Sequence, residues 1–255
     1  MIIGNLKMNP EGLTEFDAYA RLILEHKKKE ARSVSIGLAV PFPFLERARL
    51  IFKEEILVGA QDVSFEKKGS FTGDVSASMV KSLGASFVLV GHSERKKFHN
   101  ETSRDIVQKC ARVLEQDLVL VLCIGETLEE KQTGSTKNVL RKQLENIFPL
   151  IKKEEVSRLI LAYEPVWAVG TDKIPTSEEM RSVVEVIREL CWEYLGEVAR
   201  NIRILYGGSV HSQNIGSVLK NTGLDGILVG RSSLDVEEFF LIAKEFSKEK
   251  KLEEN

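Results

Sequence analysis

Short runs rich in Val, Ile and Leu recur along the whole chain, and a longer polar or amphipathic stretch follows each of them. The runs are Ile2–Leu6, Val34–Val40, Ile56–Gln61, Phe87–Gly91, Leu118–Gly125, Arg158–Glu164, Ile202–Gly207 and Gly226–Gly230. They are apolar at both alternating positions, as parallel strands covered on both faces must be. Between them, Leu13–Lys29, Thr102–Glu115, Glu178–Leu195 and Glu237–Lys248 show helical periodicity. Thr176 followed by Glu179 reads as a capping box that opens the helix after the sixth strand.

Eight strands, each followed by a helix-like stretch, fit an α/β (β/α)8 TIM barrel in a chain of 255 residues. A doubly wound sheet gives the same local signals and is the structural rival. The length also suits two small domains, but no repeat or low-complexity linker divides the chain. We therefore expect one barrel domain over 1–247, followed by a charged, frayed tail over 248–255. Hydrophobic residues make up 43% of the chain, so the core can be large without metal or disulfide. A formal net charge of -2 offers no basic face, which argues against nucleic acid as a partner. No run approaches roughly 18 apolar residues, so no membrane span is expected. The apolar N-terminal run turns polar by Asn5, too soon for a secretory segment. Cys110, Cys123 and Cys191 are odd in number, far apart and free of C-x-x-C spacing. They read as buried thiols in a reducing compartment, and the chain reads as cytoplasmic.

Several strands exit into polar or glycine residues: Asn5-Leu6-Lys7, Gly91-His92-Ser93, Glu164-Pro165 and Tyr206-Gly207-Gly208-Ser209. In a barrel these are the C-terminal strand ends, where active sites collect. Glu164 closes an apolar strand. Partial desolvation favours the protonated form of a carboxylate and suits it to general-base work near neutral pH. A surface glutamate opening a loop fits the strand position equally well. His92 precedes Ser93-Glu94-Arg95, which looks like the start of a short helix. A helix N-terminus disfavours imidazolium, so a neutral His92 would donate a hydrogen bond to a carbonyl oxygen. Taken alone, a structural histidine explains it as well. Lys7 could neutralise an enediolate or a phosphate, or be a solvated loop lysine. Gly170-Thr171, Gly207-Gly208-Ser209 and Gly230-Arg231-Ser232 follow strands six, seven and eight, where barrels often bind phosphate through backbone N–H groups. Ordinary turn chemistry also explains each. Neither G-x-G-x-x-G nor G-x-x-x-x-G-K-[ST] occurs, so dinucleotide and P-loop readings lose their support.

Together the segments Asn5–Asn9, Gly91–Arg95, Cys123–Glu126, Tyr163–Thr171 and Tyr206–Val210 resemble the triosephosphate isomerase family, in family order and over nearly the whole chain. The resemblance implies interconversion of dihydroxyacetone phosphate and D-glyceraldehyde 3-phosphate, a step of glycolysis and gluconeogenesis, with no cofactor and no metal. It implies Glu164 as base, His92 as electrophile, Lys7 for charge stabilisation and Glu94 beside them. Asn5, Lys7, Gly170, Ser209, Gly230 and Arg231 would contact substrate. Pro165 to about Lys173 would form a mobile lid of the kind this family is known for, with Trp167 as hinge anchor. A homodimer would form through the loop from Asp62 to Val75, its tip near Thr72 beside Asn5 and Lys7 of a second copy. Cys123 would be structural, and Glu126 reads as a helix-start carboxylate.

The chain departs from the family pattern at four places. Leu6 replaces a frequent tryptophan and stays apolar. Asp172 stands where the lid usually has glycine, and its charge would disfavour a nearby phosphate dianion. Pro175 fixes φ and would stiffen the second hinge. Arg231 stands where glycine commonly donates an N–H to phosphate, and it retains that N–H. The spacing of Lys7, His92 and Glu164 argues against another phosphate-handling barrel enzyme, and retention of all three groups argues against a non-catalytic homologue kept for binding or structure.

Overall fold

The computed structural model describes residues 1–171 and 174–253. Its strands are β1 (Ile2–Asn5), β2 (Ile36–Val40), β3 (Leu57–Ala60), β4 (Phe87–Val90), β5 (Val119–Ile124), β6 (Leu159–Tyr163), β7 (Arg203–Tyr206) and β8 (Gly226–Val229). All pair in parallel and in chain order, and β8 pairs back onto β1 to close a barrel. Ile2 of β1 stands between Ile36 of β2 and Ile227 of β8. A closed sheet leaves no unpaired edge, and the closure rules out the doubly wound alternative. Each expected strand is present, shortened by one or two residues at one or both ends.

The double-sided apolar pattern has a direct cause. Ile3, Phe87, Leu89, Val121, Ile160, Leu205 and Leu228 point into the barrel and form an inner core. Their neighbours Ile2, Leu38, Val88, Leu122, Leu161, Ile204 and Ile227 belong to the outer core beneath the helices. Large and small residues alternate inside. The Phe87 ring occupies the place a side chain at Gly59 would need, since a Cβ there would lie 2.3 Å from the ring. Truncating such a ring to alanine typically costs about 3–5 kcal/mol.

The helices are α1 (Leu13–Glu30), α2 (Leu45–Phe52), α3 (Ala77–Ser82), α4 (Ser93–His99), α5 (Ser103–Glu115), α6 (Leu128–Gln132), α7 (Thr136–Leu144), α8 (Ser177–Leu195), α9 (Ile215–Leu219) and α10 (Val236–Glu253). Thr176 and Glu179 form the expected capping box at α8, and Thr102–Asp105 and Thr127–Glu130 form two more at α5 and α6. Each box satisfies otherwise orphaned N–H groups at the loop where a helix begins. Helix α10 continues into the charged stretch after Lys248, and the Lys250 ammonium donates to the Leu224 carbonyl at 2.6 Å. Glu254 and Asn255, at the end of the tail expected to fray, lie outside the described residues. Among the described residues no helix is long and apolar enough to cross a membrane.

Candidate active site

The C-terminal ends of β1, β4, β6, β7 and β8 converge on one cavity of about 360 Å³. Asn5, Lys7, His92, Glu164, Gly170, Ser209, Gly230 and Arg231 all line it. Glu94 does not. It stands behind Lys7, whose ammonium it holds at 2.5 Å, and it lines an adjoining cavity.

Lys7 reaches this place at a conformational cost. Its φ is 53°, in the left-handed region that non-glycine residues rarely occupy. Neighbours over-determine that conformation. The Lys7 N–H donates to Asn5 Oδ1 at 3.0 Å, and its carbonyl accepts from Gln61 Nε2 at 2.8 Å. Gln61 also reaches the Ala39 carbonyl at 3.1 Å, so it ties the β1 exit to β2 and β3. Its role was not foreseen, because these partners lie far away in sequence.

His92 caps the N-terminus of α4. Its Nδ1 accepts from the Glu94 backbone N–H at 3.2 Å. A nitrogen that accepts carries a lone pair, so this contact places the ring proton on Nε2 of a neutral imidazole. The Glu94 carboxylate is 3.8 Å from Nδ1, beyond hydrogen-bond range, and is engaged by Lys7 instead.

Glu164 follows the last residue of β6 and is only 2% exposed. Its Oε2 accepts from the Ser93 N–H at 3.2 Å. Its Oε1 is buried, makes no hydrogen bond among the described residues, and stands 3.5 Å from His92 Nε2. Two glycines give the carboxylate its room. A Cβ on Gly207 would lie 2.6 Å from Glu164 Cγ, and one on Gly125 would lie 2.0 Å from the Glu164 carbonyl oxygen. Neither site tolerates a side chain without moving Glu164.

Segment 165–171 covers one side of the cavity and is anchored at its base. The Trp167 indole N–H donates to Glu126 Oε1 at 3.0 Å, and the Tyr163 hydroxyl donates to the same carboxylate at 2.9 Å. Glu126 is 1% exposed, so the helix-start reading is incomplete: it precedes α6, but its side chain turns inward to clamp two aromatic rings. Burial, followed by the neighbouring Glu126 charge, pushes the Tyr163 phenol well above its ordinary range. The Ser209 hydroxyl donates to the Ala168 carbonyl at 3.0 Å and the Thr171 carbonyl at 2.6 Å. Tyr206, at the end of β7, has a buried hydroxyl with no partner among the described residues. Asp172 and Lys173 lie outside the described residues, while Pro175 is buried immediately before the α8 cap. Arg231 is exposed and opens a short 3-10 turn (Arg231–Ser233) after Gly230. Its N–H, in the first turn, has no intrahelical partner to lose.

A buried ionic cluster supports the site from behind. Lys109 Nζ lies 2.8 Å from both Asp62 oxygens and also pairs with Glu101, while Arg95 Nε lies 2.7 Å from Asp62. Burial raises the Asp62 carboxyl from its ordinary value, against the pull of Lys109. The cluster joins the loop after β3 to α4 and α5. The same loop carries exposed Phe71 and Thr72 and is closed at its base by Ser64 N–H donating to the Val75 carbonyl at 2.8 Å. All three cysteines are buried and free.

Comparison with known proteins fits this geometry. The family model described as triosephosphate isomerase matches residues 1–246. The chain is 40% identical to the triosephosphate isomerase of Cupriavidus necator over 95% of its own length and 97% of the relative's. It is 37% identical to that of Alkaliphilus oremlandii over 94% and 96% respectively. The crystal structure of triosephosphate isomerase from Bartonella henselae superposes with a TM-score of 0.85 at 34% identity, covering 96% of this chain and 98% of that one.

Proposed function

The chain belongs to the triosephosphate isomerase family and is an isomerase, and from that premise we propose that Glu164, His92 and Lys7 interconvert dihydroxyacetone phosphate and D-glyceraldehyde 3-phosphate through an enediolate. Glu164 takes a proton from the carbon beside the carbonyl and returns it to the neighbouring carbon. Neutral His92 donates its Nε2–H to the carbonyl oxygen and moves a proton between the two oxygens. Lys7, with Asn5 beside it, stabilises the negative charge that develops. Backbone N–H groups after β6, β7 and β8, at Gly170, Ser209, Gly230 and Arg231, hold the phosphate. The segment that begins at Pro165 and carries Trp167 to Thr171 closes as a lid and excludes water from an intermediate that would otherwise shed phosphate. No step calls for a metal or cofactor.

The observation that carries this reading is the free Oε1 of a nearly fully buried Glu164, facing His92 Nε2 across 3.5 Å. In the described arrangement Glu164 rests on the Ser93 N–H, so its catalytic stroke begins by leaving that donor. A coupled assay of purified protein with D-glyceraldehyde 3-phosphate tests the activity. Turnover supports the proposal, and no turnover by folded protein overturns it.

A homodimer completes this reading. Met8 is 94% and Phe98 66% exposed, and both line a cavity of about 560 Å³ that also touches Lys7 and Glu94. Large apolar side chains left that open mark an interaction surface. The Thr72 loop of a second copy, with exposed Phe71, is its occupant. The small triose phosphate is the substrate and the cytosol the site of action.

A further inference from the structure

We propose that Lys131 is a positioning residue that couples the Trp167 end of the lid to the cap of α8, an inference resting on the reading of the segment from Pro165 to Thr171 as part of that lid. Lys131 lies on the short helix α6, outside the cavity and away from the reacting groups. Its ammonium sits 3.9 Å from the centroid of the Trp167 ring, over the face of the indole. The edge of the same indole is held by Glu126. The Lys131 ammonium also donates to Glu179 Oε1 at 2.8 Å. Glu179 is the other member of the Thr176 capping box, and its Oε2 accepts from the Thr176 N–H at 2.9 Å.

One cation therefore touches Trp167 at the first end of the lid and, through Glu179, the helix cap that follows its second end. Trp167 belongs to the first hinge, two residues beyond Pro165. Thr176 follows the buried Pro175 of the second hinge. A cation over an indole face is attracted by the ring quadrupole, and a cation beside a carboxylate by its charge. The hydrogen bond from Lys131 holds the Glu179 carboxyl below its ordinary range. If the indole turns, it withdraws its face from Lys131. If the α8 cap shifts, it withdraws Glu179. In either case the ammonium loses one of its two partners, so the hinges share a common restraint and move together.

The test uses the full chain in a Trp192→Phe background. The protein has two tryptophans, so Trp167 then becomes the sole reporter. Lys131→Met removes both attractions, whereas Lys131→Arg retains both. Glu179→Gln weakens the ion pair but leaves a residue able to complete a capping box. We expect Lys131→Met to lower kcat about fivefold with KM for D-glyceraldehyde 3-phosphate changed less than about twofold, since lid steps govern turnover more than ground-state binding. Lys131→Met should also blunt the change in Trp167 emission on saturation with glycerol 3-phosphate, which cannot isomerise. Lys131→Arg should restore both readouts, and the Lys131→Met/Glu179→Gln double variant should be no worse than Lys131→Met. Wild-type kcat and emission response in Lys131→Met, failure of arginine to restore them, or additive losses in the double variant would each overturn the proposal. The emission readout needs no turnover, so absent isomerase activity would reject the function while leaving the coupling independently measured.

Discussion

The two halves of the cavity are built differently. On the proposed proton-transfer side, Lys7, His92 and Glu164 would act through side chains: Lys7 is held by Asn5 and Gln61, His92 by the Glu94 N–H of the helix it caps, and Glu164 by the Ser93 N–H. On the lid side, Gly170, Ser209, Gly230 and Arg231 would contribute mainly backbone under this proposal, with φ of 69° at Gly170 and a short 3-10 turn after Gly230. The first half depends on the identity of a functional group. The second depends on the path of the chain, and its side chains can vary while its N–H groups stay in place.

That contrast can be broken most severely at Glu164. Glu164→Gln removes the base and keeps the shape, and kcat should fall on the order of 10³-fold; a small loss in a steady-state assay would move the base elsewhere. His92→Gln should cost about 3 kcal/mol of transition-state stabilisation, the typical loss for one positioned donor. It should appear in kcat with little change in KM. Gly207→Ala crosses the two halves. The new methyl meets Glu164 Cγ, so a displacement of the base by about 1 Å should lower kcat on the order of 10²-fold while the thermal midpoint barely moves. A large loss of stability instead would show that strand β7, and not the base, absorbs the clash. On the lid side, Arg231→Gly should leave KM within about twofold at low salt, because the exposed guanidinium adds little where the backbone does the binding. A KM rise beyond that would make Arg231 a side-chain ligand. The smallest effect concerns the inert wall. Burial pushes the Cys191 thiol up to about 12 and raises Cys110 and Cys123 as well. Ellman's reagent at pH 8 should therefore find no reactive thiol until the protein is unfolded.

Much of the fold was legible because its signals are local. Strands covered on both faces must be apolar at every position, and the Thr176–Glu179 box marks a helix start within four residues. Short helices such as α2, α6 and α9 escaped because a turn or two carries no clear period. The residues proposed to react were legible as strand-end oddities and became specific only in company. Glu126, Gln61 and the Asp62–Lys109–Glu101 cluster were not legible, since each works through partners tens of residues away. A carboxylate that clamps Tyr163 and Trp167 looks, along the chain, like any glutamate before a helix. Asp172, a departure from the family pattern expected to bear on phosphate binding, lies outside the described residues.

The most direct test follows the proton itself. D-glyceraldehyde 3-phosphate is isomerised by the wild-type protein in D₂O, and the product is examined by NMR. Transfer through the Glu164 carboxylate predicts solvent deuterium on the reacting carbons, since a proton held by a carboxylate exchanges with solvent between abstraction and return. Complete absence of carbon-bound deuterium after many forward and reverse turnovers would mean that the hydrogen never rests on an exchangeable group, and would contradict Glu164 as the base.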